Sequence, residues 1–585
     1  MNTQAPSRTH RAQERVQRRW PKVAHALLPV IALCVGFVAV KTAHLSAIGP
    51  YGLIQALPPL YYVALALAGL SFLISWSIPQ TSPFRISLDL VILVLLLQSP
   101  PAIIEPVARF ATAWLHAGFT DYVARTGRVL PNLDARFSWP AFFAGIGMVS
   151  RATSLPSAVV LLKWWPVVIN LLYLPPFYLL ARAILRDHRR AIFATWLFPM
   201  ANWVGQDYFS PQSVAFLLYL IFIWIVAEQF SADRRSLFPR RQHQPDEYGT
   251  LSLAALPPAL GLSVLALIGM AMIVSHQITP VFAGLAATLL AFFGRTRLKA
   301  FGILMLLLTA GWVCYGAVGF WSGHFSMLAG GLGNLGSNVN VGLAGRLKGS
   351  PQHYQVLDVR LLLSFLVWGL ALLGMLVGYR RREDIRIAGV LMLTPFLVLA
   401  GGGYGGEAGL RVYLFSLAGA LPLTAMLFTS RKSLRPAIAG ALVMVVMVPC
   451  FVLARWGNEL SEMTLPSEIT AVKVLYRVAP AGATLLTITP QVAWRFTDID
   501  RYNYEPDNLD EFAFVKVSEI IKKLSGNPHG GYVLITASQI VYGEQSYGLR
   551  SNWALQVERA MARSGRFALL YSNSNAKIYE LTKLR

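Results

Sequence analysis

The chain has 585 residues, of which 55% are hydrophobic and only 14% are charged, and its mean hydropathy is +0.51. This composition excludes an ordinary soluble protein and is typical of a polytopic α-helical membrane protein. A net charge of +23 would suggest nucleic-acid binding in a soluble domain. Here the positive charge lies in the N-terminal tail and in short links between apolar stretches, so we expect membrane lipids and no nucleic acid as partners.

The N-terminal end begins with a basic tail, residues 1–22, which we predict to be cytoplasmic. The apolar run that follows extends from Val23 to about Val40. It is longer than the roughly 7–15 apolar residues of a cleavable signal peptide. We therefore interpret it as a retained first helix, with cleavage after Ala47 as the open alternative.

Apolar stretches continue through residues 23–454 and predict about thirteen transmembrane helices, each near the ~20 residues that a bilayer requires or somewhat shorter. The predicted spans are residues 23–43, 57–78, 86–100, 157–181, 191–204, 212–229, 251–274, 279–293, 300–320, 359–378, 386–401, 411–428 and 435–454. Every second link between them is rich in arginine and lysine, which marks the cytoplasmic side. An odd number of spans then places the C-terminal segment outside.

Two long segments of the membrane region are predicted to lie on the outer face rather than to cross the bilayer. Residues 101–156 form an outer loop whose stretch ARFATAWLHAGFTDYVARTG has roughly helical spacing, which suggests a helix lying in the membrane interface. Residues 321–357 are rich in glycine and asparagine, which predicts a flexible outer loop.

Residues 455–585 lose the long apolar runs, which predicts a small soluble α/β domain outside the membrane. Short β-like runs and two helical patterns, Asp510–Leu524 and Asn552–Ser564, alternate there. The β-like runs are residues 483–488, 531–536, 567–571 and 577–581.

The outer loop 101–156 carries two isolated acids with different prospects. Asp121 lies beside aromatic residues at the membrane surface, where partial desolvation would raise its pKa and suit a general base. The alternative is a solvated acid that pairs with Arg125 one helical turn later. Asp134 follows Pro-Asn and precedes Arg136, which favours a turn or cap residue.

A very short outer link, NWVGQDYFSPQS, holds Gln206, Asp207 and Tyr208 close to the membrane face. Asp207 could cap the next helix, but Ser210 before Pro211 is the better cap candidate. We therefore expect a functional role for Asp207, and we expect Gln206 and Tyr208 to contact substrate.

Three further residues near outer helix ends are candidates for binding. His276 lies in SHQITP; a single histidine of this kind is more often structural than catalytic. Glu407 and Arg411 lie in GGGYGGEAGLRVY, where glycines permit close approach of a ligand and arginine suits a phosphate. The alternative is an intrahelical Glu407–Arg411 pair, worth only ~0.3–0.5 kcal/mol.

This arrangement resembles the bacterial GT-C glycosyltransferases, membrane enzymes that take sugar from a polyprenyl-phosphate carrier on the outer face. Asp121 in GFTDYVARTG matches the acid of the family's first large outer loop, and Asp207 in GQDYFSPQ matches a second acid in a later link. His276 and Arg411 match residues that hold the carrier phosphate. One departure is that the loop follows the third predicted span rather than the first, so the first two spans would be an added hairpin.

The resemblance implies an inverting transfer in a bacterial plasma membrane, with Asp121 as general base. Asp207 would orient the acceptor or, with Asp121, hold a divalent cation such as Mg or Mn. Gln206, Tyr208 and Glu407 are the expected substrate-binding residues. The implied partners are a polyprenyl-phosphate-linked sugar donor and a glycan, lipid or protein acceptor.

Three rival interpretations stay open. A cell-envelope polysaccharide ligase or polymerase would use a lipid-diphosphate donor and depend more on arginine and histidine. A lipid or saccharide transporter would place charges at mid-membrane, often in repeated halves, whereas this sequence has no evident repeat. A structural membrane scaffold is the third alternative, because each candidate residue also has a structural explanation.

Overall fold

The computed structural model describes residues 27–78, 81–232, 256–322, 348–401, 407–428, 435–505 and 514–582. Within these ranges, seven helices are long and apolar enough to cross a membrane. They are Pro59–Ser77, Trp165–Leu185, Pro211–Glu228, Pro258–Ser275, Pro351–Arg380, Ala408–Ala425 and Ala437–Glu462. The shorter apolar helices are Leu27–Lys41, Ala141–Ala152, Thr279–Phe292, Phe301–Tyr315 and Arg386–Ala400.

The remaining helices are short or less apolar, and several of them lie in the links. They are Leu45–Ala47, Leu53–Ala56, Pro83–Gln98, Pro100–Ile104, Ala111–Thr126, Ala135–Ser138, Val159–Leu162, His188–Ala201, Pro466–Val478, Val517–Ser525, Ala537–Tyr547 and Trp553–Arg563. Each predicted span coincides with one of the observed helices, so the helical membrane architecture is confirmed. The number of about thirteen crossings stays a prediction.

One predicted boundary of a link differs from the structure. Helix Pro351–Arg380 begins inside the predicted loop 321–357, because Ser350 caps it and Pro351 suits its first turn. The predicted end of that loop is therefore wrong. Residues 323–347 of this loop and the basic tail 1–22 lie outside the described residues.

Helix Ala408–Ala425 is buried along its length and occupies the centre of the bundle. It packs against helix Pro351–Arg380, where a Cβ at Gly374 would lie 1.9 Å from the Leu423 carbonyl oxygen. On another side, a Cβ at Gly419 would lie 2.2 Å from the Ala388 carbonyl oxygen. Small residues thus allow helix backbones to approach closely, as is usual where lipid removes the hydrophobic driving force.

Ion pairs join several of the basic links at one end of the bundle. Arg190 pairs with Glu383 at 2.5 Å, and Arg295 pairs with Asp384. The links after helices Trp165–Leu185, Thr279–Phe292 and Pro351–Arg380 therefore meet, as the alternation of charge predicts. We refer to the other end, which carries the C-terminal sheet, as the sheet-bearing end.

The C-terminal region contains a five-stranded sheet in the order β2-β1-β3-β5-β4. Strands β1 and β2 are parallel, as are β1 and β3, whereas β5 runs antiparallel to both β3 and β4. The strands are β1 Thr484–Thr487, β2 Asn503–Glu505, β3 Gly531–Thr536, β4 Phe567–Ser572 and β5 Ala576–Leu581. The four predicted β-like runs are β1, β3, β4 and β5; only the three-residue strand β2 was not predicted.

The sheet has two buried faces, because successive residues of a strand point in opposite directions. Leu485 and Leu534 pack toward the outer-loop helix Ala111–Thr126, whereas Leu486 and Val533 pack on helices beyond the sheet.

The stretch of the outer loop that was predicted to be helical does form a helix, Ala111–Thr126. It lies in a shared core with the C-terminal domain, where Gly118 touches the backbone of that domain.

Candidate functional site

A cavity of about 140 Å³ opens at the sheet-bearing end, where helix ends from distant parts of the sequence meet. Its wall contains both apolar residues, among them Trp203 and Trp456, and a concentration of charge. The charged residues that line it are Glu105, Arg109, Lys163, Arg360, Glu407, Arg455 and Glu462. Gln98, Gln206 and Tyr208 also line it.

Glu105 is the most unusual of these residues. It follows the short helix Pro100–Ile104, which ends there because the residue before Pro106 is disfavoured in a helix. Its side chain is 1% exposed, and its hydrogen-bonding neighbour is a second buried carboxyl, that of Glu459. Burial and the nearby Glu459 carboxyl raise the pKa of Glu105 well above its ordinary value. A buried carboxyl of this kind can accept a proton from a bound ligand.

Arg109 connects the cavity to the segment that leads into the C-terminal domain. Its guanidinium forms ion pairs with Glu459 and Glu462 and lies 4.9 Å from the ring of Trp456. The backbone N–H of Phe110 donates to the Glu462 carbonyl at 3.0 Å. These contacts fix Arg109 beside Glu105, so an arginine and a buried carboxyl are held together at the cavity wall.

Phe110 lies in a strained backbone conformation directly before helix Ala111–Thr126. Its φ of 70° is rare for a residue with a bulky side chain. The Phe110 ring packs 4.6 Å from that of Tyr208, and both residues line the cavity. Strain of this kind persists only where surrounding contacts impose it, and it is common at functional sites.

Asp207 lies behind the cavity wall rather than in it. It is 2% exposed and forms an ion pair with Arg455 at 2.5 Å. Asn170 donates to its other carboxyl oxygen at 2.6 Å, and Asn202 donates to Asn170 at 3.0 Å. Asp207 therefore orients the Arg455 guanidinium, which lines the cavity, and its predicted catalytic role stays a prediction.

The link that contains Asp207 is fastened by side-chain contacts. Gln212 donates to Gln206 at 3.0 Å and to the Tyr208 hydroxyl at 2.6 Å. The buried ring of His116 stacks against Tyr208 with centroids 5.7 Å apart, and its Nδ1 contacts the Phe209 carbonyl at 3.0 Å. Gln206 and Tyr208 are thus held at the cavity, in the positions where substrate-binding residues were predicted.

Glu407 and Arg411 form the predicted i, i+4 pair, with an N–O distance of 2.8 Å. Glu407 lines the cavity, whereas Arg411 is buried in the first turns of helix Ala408–Ala425. His276 caps the preceding helix end and contacts the Thr279 hydroxyl at 2.8 Å. Burial, followed by the nearby Arg411, lowers the pKa of His276 well below its ordinary value, which favours the neutral imidazole.

Asp121 lies outside this cavity. Its carboxylate accepts hydrogen bonds from the Ser157 hydroxyl and, at 2.8 Å, from the Ala158 backbone N–H. Burial raises its pKa, while these hydrogen bonds act in the opposite direction. Arg125 pairs with Asp498 and Asp500 of the C-terminal region instead, so the expected Asp121–Arg125 alternative is wrong. The general-base assignment of Asp121 stays a prediction.

Asp134 has the local role that its sequence context predicts. It caps the turn Ala135–Ser138 and accepts from the backbone N–H of Arg136 at 2.9 Å. The Arg136 guanidinium also pairs with it at 2.8 Å. Despite burial, these interactions hold the pKa of Asp134 below its ordinary value.

The described residues contain no group of three histidine, cysteine or acidic side chains placed to hold a metal ion. Asp121 and Asp207, the predicted ligands, are each held by their own partners, Ser157 and Arg455. A divalent cation therefore stays a prediction.

The sequence analysis did not predict six charged residues of the cavity, and they differ in the sequence signals that could have indicated them; one of them, Glu462, lies in the same short segment as Glu459. Glu105 follows the third predicted span directly, in QSPPAIIEP, and an acid at a helix end between prolines is a usable signal. Arg455 directly follows the last predicted span, residues 435–454. The others, Arg109, Lys163 and Arg360, carry no local signal, because only the fold brings them together.

Three solved GT-C glycosyltransferases are similar in structure to this chain. The oligosaccharyltransferase of Archaeoglobus fulgidus, solved with a tethered acceptor peptide, has 11% identity over 88% of this chain and 74% of its own, with a TM-score of 0.49. ArnT of Cupriavidus metallidurans, bound to undecaprenyl phosphate, has 13% identity over 90% of this chain and 100% of its own, with a TM-score of 0.46. The mycobacterial arabinofuranosyltransferase AftD has 13% identity over 89% of this chain and 41% of its own, with a TM-score of 0.43. No protein-family model and no curated protein matches the chain.

Proposed function

We propose that this protein is an integral membrane glycosyltransferase that moves a sugar from a polyprenyl-phosphate carrier to an acceptor hydroxyl. The observation that carries the proposal is the buried carboxyl of Glu105 in a cavity that is also lined by arginines, at the ends of apolar helices. A lipid carrier would approach from the bilayer, and its sugar phosphate would reach the cavity at the membrane surface.

In the proposed reaction, Glu105 takes the proton of the acceptor hydroxyl. The acceptor oxygen forms a bond to the anomeric carbon, and the bond from that carbon to the phosphate oxygen breaks with inversion. The electron pair leaves with polyprenyl phosphate, so the step needs no oxidant or covalent intermediate. Asp121, the base implied by the sequence resemblance, is the alternative, and the two acids are separated by the experiment below.

The leaving phosphate needs cationic side chains, since charge develops on its oxygen in the transition state. Arg360 and Arg455 line the cavity and are oriented by neighbours: Arg360 donates to the Ala454 carbonyl at 2.7 Å, and Arg455 pairs with Asp207. Lys163 lines the same cavity. Arg411 and His276 are not among the residues that line the cavity, so we propose a supporting role in phosphate binding for them.

We further propose that the sheet-bearing end faces outward from a bacterial plasma membrane. The support is the set of basic links at the opposite end. Single cysteines introduced at Arg240 and Gly530 in intact cells test this orientation. An impermeant reagent should label position 530 only, and labelling of position 240 alone would reverse the topology.

The decisive experiment is sugar transfer by the purified protein in nanodiscs, from labelled polyprenyl-phosphate donors to a panel of glycan, lipid and peptide acceptors. Wild type should transfer at least one sugar, and Glu105→Gln should lose most of that activity. A lipid-diphosphate donor belongs in the panel, because the several cationic side chains of the cavity also favour a polysaccharide ligase or polymerase. Transfer from the diphosphate donor alone would support that second function.

A further inference from the structure

Gln98 is a buried polar residue of the cavity for which the described part of the fold provides no partner. It is the last residue of helix Pro83–Gln98, is 1% exposed, and lines the cavity with Glu105. Neither its amide oxygen nor its amide nitrogen has a hydrogen-bond partner within the described part of the chain. Leaving a buried amide without partners is costly, so such a group usually meets a ligand or serves another role.

The backbone around Gln98 is firmly held, which makes its side chain a fixed feature of the cavity. The Tyr61 hydroxyl donates to the Leu96 carbonyl at 2.9 Å, and the Trp456 indole donates to the Leu97 carbonyl at 3.1 Å. These bonds satisfy two carbonyls of the last helical turn, which have no partner within the helix. The amide of Gln98 is therefore presented by a rigid helix end.

A buried glutamine of the C-terminal domain provides the contrast. Gln539 is fully buried and receives the Ile488 N–H at 2.9 Å, while its own amide donates to the Leu534 carbonyl at 3.1 Å. That side chain has a complete structural role. Gln98 has the same burial without these bonds, so stability of the fold does not explain its presence.

We infer that Gln98, together with Glu105, forms a subsite that binds the hydroxyl groups of a sugar ring. This inference rests on the proposed function, and it names the part of the cavity that would determine specificity. An amide offers both a donor and an acceptor, and a carboxyl can accept from a hydroxyl, so the two side chains suit a polyhydroxylated ligand. The rings of Trp203 and Trp456 in the same wall supply the apolar surface that a sugar ring also requires.

Gln98→Met tests the inference because methionine preserves the length of the side chain and removes its hydrogen bonds. The variant should transfer sugar at least about ten-fold less efficiently, since a site built to bond a hydroxyl rejects a mismatch strongly. Its melting temperature without substrate should equal or exceed that of wild type, because a buried unpaired amide is removed. Gln539→Met, the matched variant, should lower the melting temperature.

Deoxy analogues identify which sugar Gln98 contacts. Wild type should discriminate strongly against one deoxy position, either on a polyprenyl-phosphate-linked mannose, glucose or arabinose donor or on a glycan acceptor. Gln98→Met should lose that discrimination while it keeps the others. Comparison of the donor analogues with the acceptor analogues thus shows whether Gln98 contacts the sugar of the donor or that of the acceptor.

Two results would separate this inference from the proposed function. If wild type transfers sugar and Gln98→Met transfers every donor and acceptor equally well, the sugar subsite is refuted and the glycosyltransferase proposal survives. If wild type transfers nothing, the proposed function fails. The rise in melting temperature on adding the polyprenyl-phosphate sugars or the glycan acceptors then tests the subsite alone, and equal rises in wild type and Gln98→Met with every one of these ligands refute it.

Discussion

Replacing Glu105 by glutamine separates the two acids that compete for the role of general base. Glutamine has the same shape and still forms hydrogen bonds, but it cannot take the proton of the acceptor hydroxyl. Loss of a general base typically lowers the rate by ~10²–10⁴-fold, which corresponds to about 2.7–5.5 kcal/mol of activation free energy. Because glutamine keeps the shape of the side chain and can still donate a hydrogen bond to the neighbouring Glu459 carboxyl, the variant should remain folded.

Asp121→Asn is the matched comparison, and the structure predicts a different outcome. Asp121 accepts bonds from the Ser157 hydroxyl and the Ala158 N–H, and asparagine retains only one acceptor oxygen. Loss of one such bond from a half-buried carboxylate costs roughly 1–2 kcal/mol of stability. Transfer activity should stay within a few-fold of wild type when it is measured well below the melting temperature.

The assay is the initial rate of transfer from a saturating labelled donor, with melting temperature measured on the same preparations. Activity retained by Glu105→Gln and abolished by Asp121→Asn would refute the structural reasoning and establish the base implied by the sequence resemblance. Loss of both activities at unchanged melting temperatures would mean that the reaction requires the two acids together.

Three further predictions follow from the same contacts. Asp207→Asn should lower stability by ~3–5 kcal/mol, because Arg455 would be left as a buried charge without its partner; an unchanged melting temperature would contradict that ion pair. Arg411→Lys should weaken donor binding more than a surface arginine-to-lysine change, since a planar fork becomes a point charge; equal affinity for the donor would remove Arg411 from phosphate binding. The rate should fall as the pH decreases through the raised pKa of Glu105, well above the ordinary value of 4.5, because only the deprotonated form acts as base. Glu459→Gln should move that acidic limb to lower pH, and a limb that does not move would exclude coupling of the two carboxyls.

The fold could be predicted well because the signals that specify it are local. A run of apolar residues near bilayer length predicts a helix wherever it occurs, and the short runs in 483–488 and 531–536 predict strands by composition alone. The strand Asn503–Glu505 was not predicted because three residues carry no periodicity; it pairs with β1, and its Tyr504 is buried in the core shared with helix Ala111–Thr126.

The candidate site could be predicted only in part, because its residues are distant in sequence. Arg109 and Glu459 are 350 residues apart, and Asp207 and Arg455 are 248 apart. Position near a helix end was a sufficient signal for Tyr208, which does line the cavity. No local sequence pattern indicates which acid will pair with an arginine in the fold. The sequence could therefore suggest candidate catalytic acids but could not rank them.

The acids at the sheet-bearing end can be ranked as candidate bases by the partners that each carboxyl already has. Asp134 is neutralised by its neighbour Arg136, Asp207 by Arg455, and Glu459 by Arg109, so each of these carboxylates already has a structural use for its charge. Asp121, in helix Ala111–Thr126, is bonded to the Ser157 hydroxyl and the Ala158 backbone N–H. Glu105 is buried more deeply than Asp121, and its hydrogen-bonding neighbour is a second carboxyl, that of Glu459, rather than a cation. Since two buried carboxyls in contact destabilise the empty fold, we propose that Glu105 is kept in the cavity for its action on a substrate.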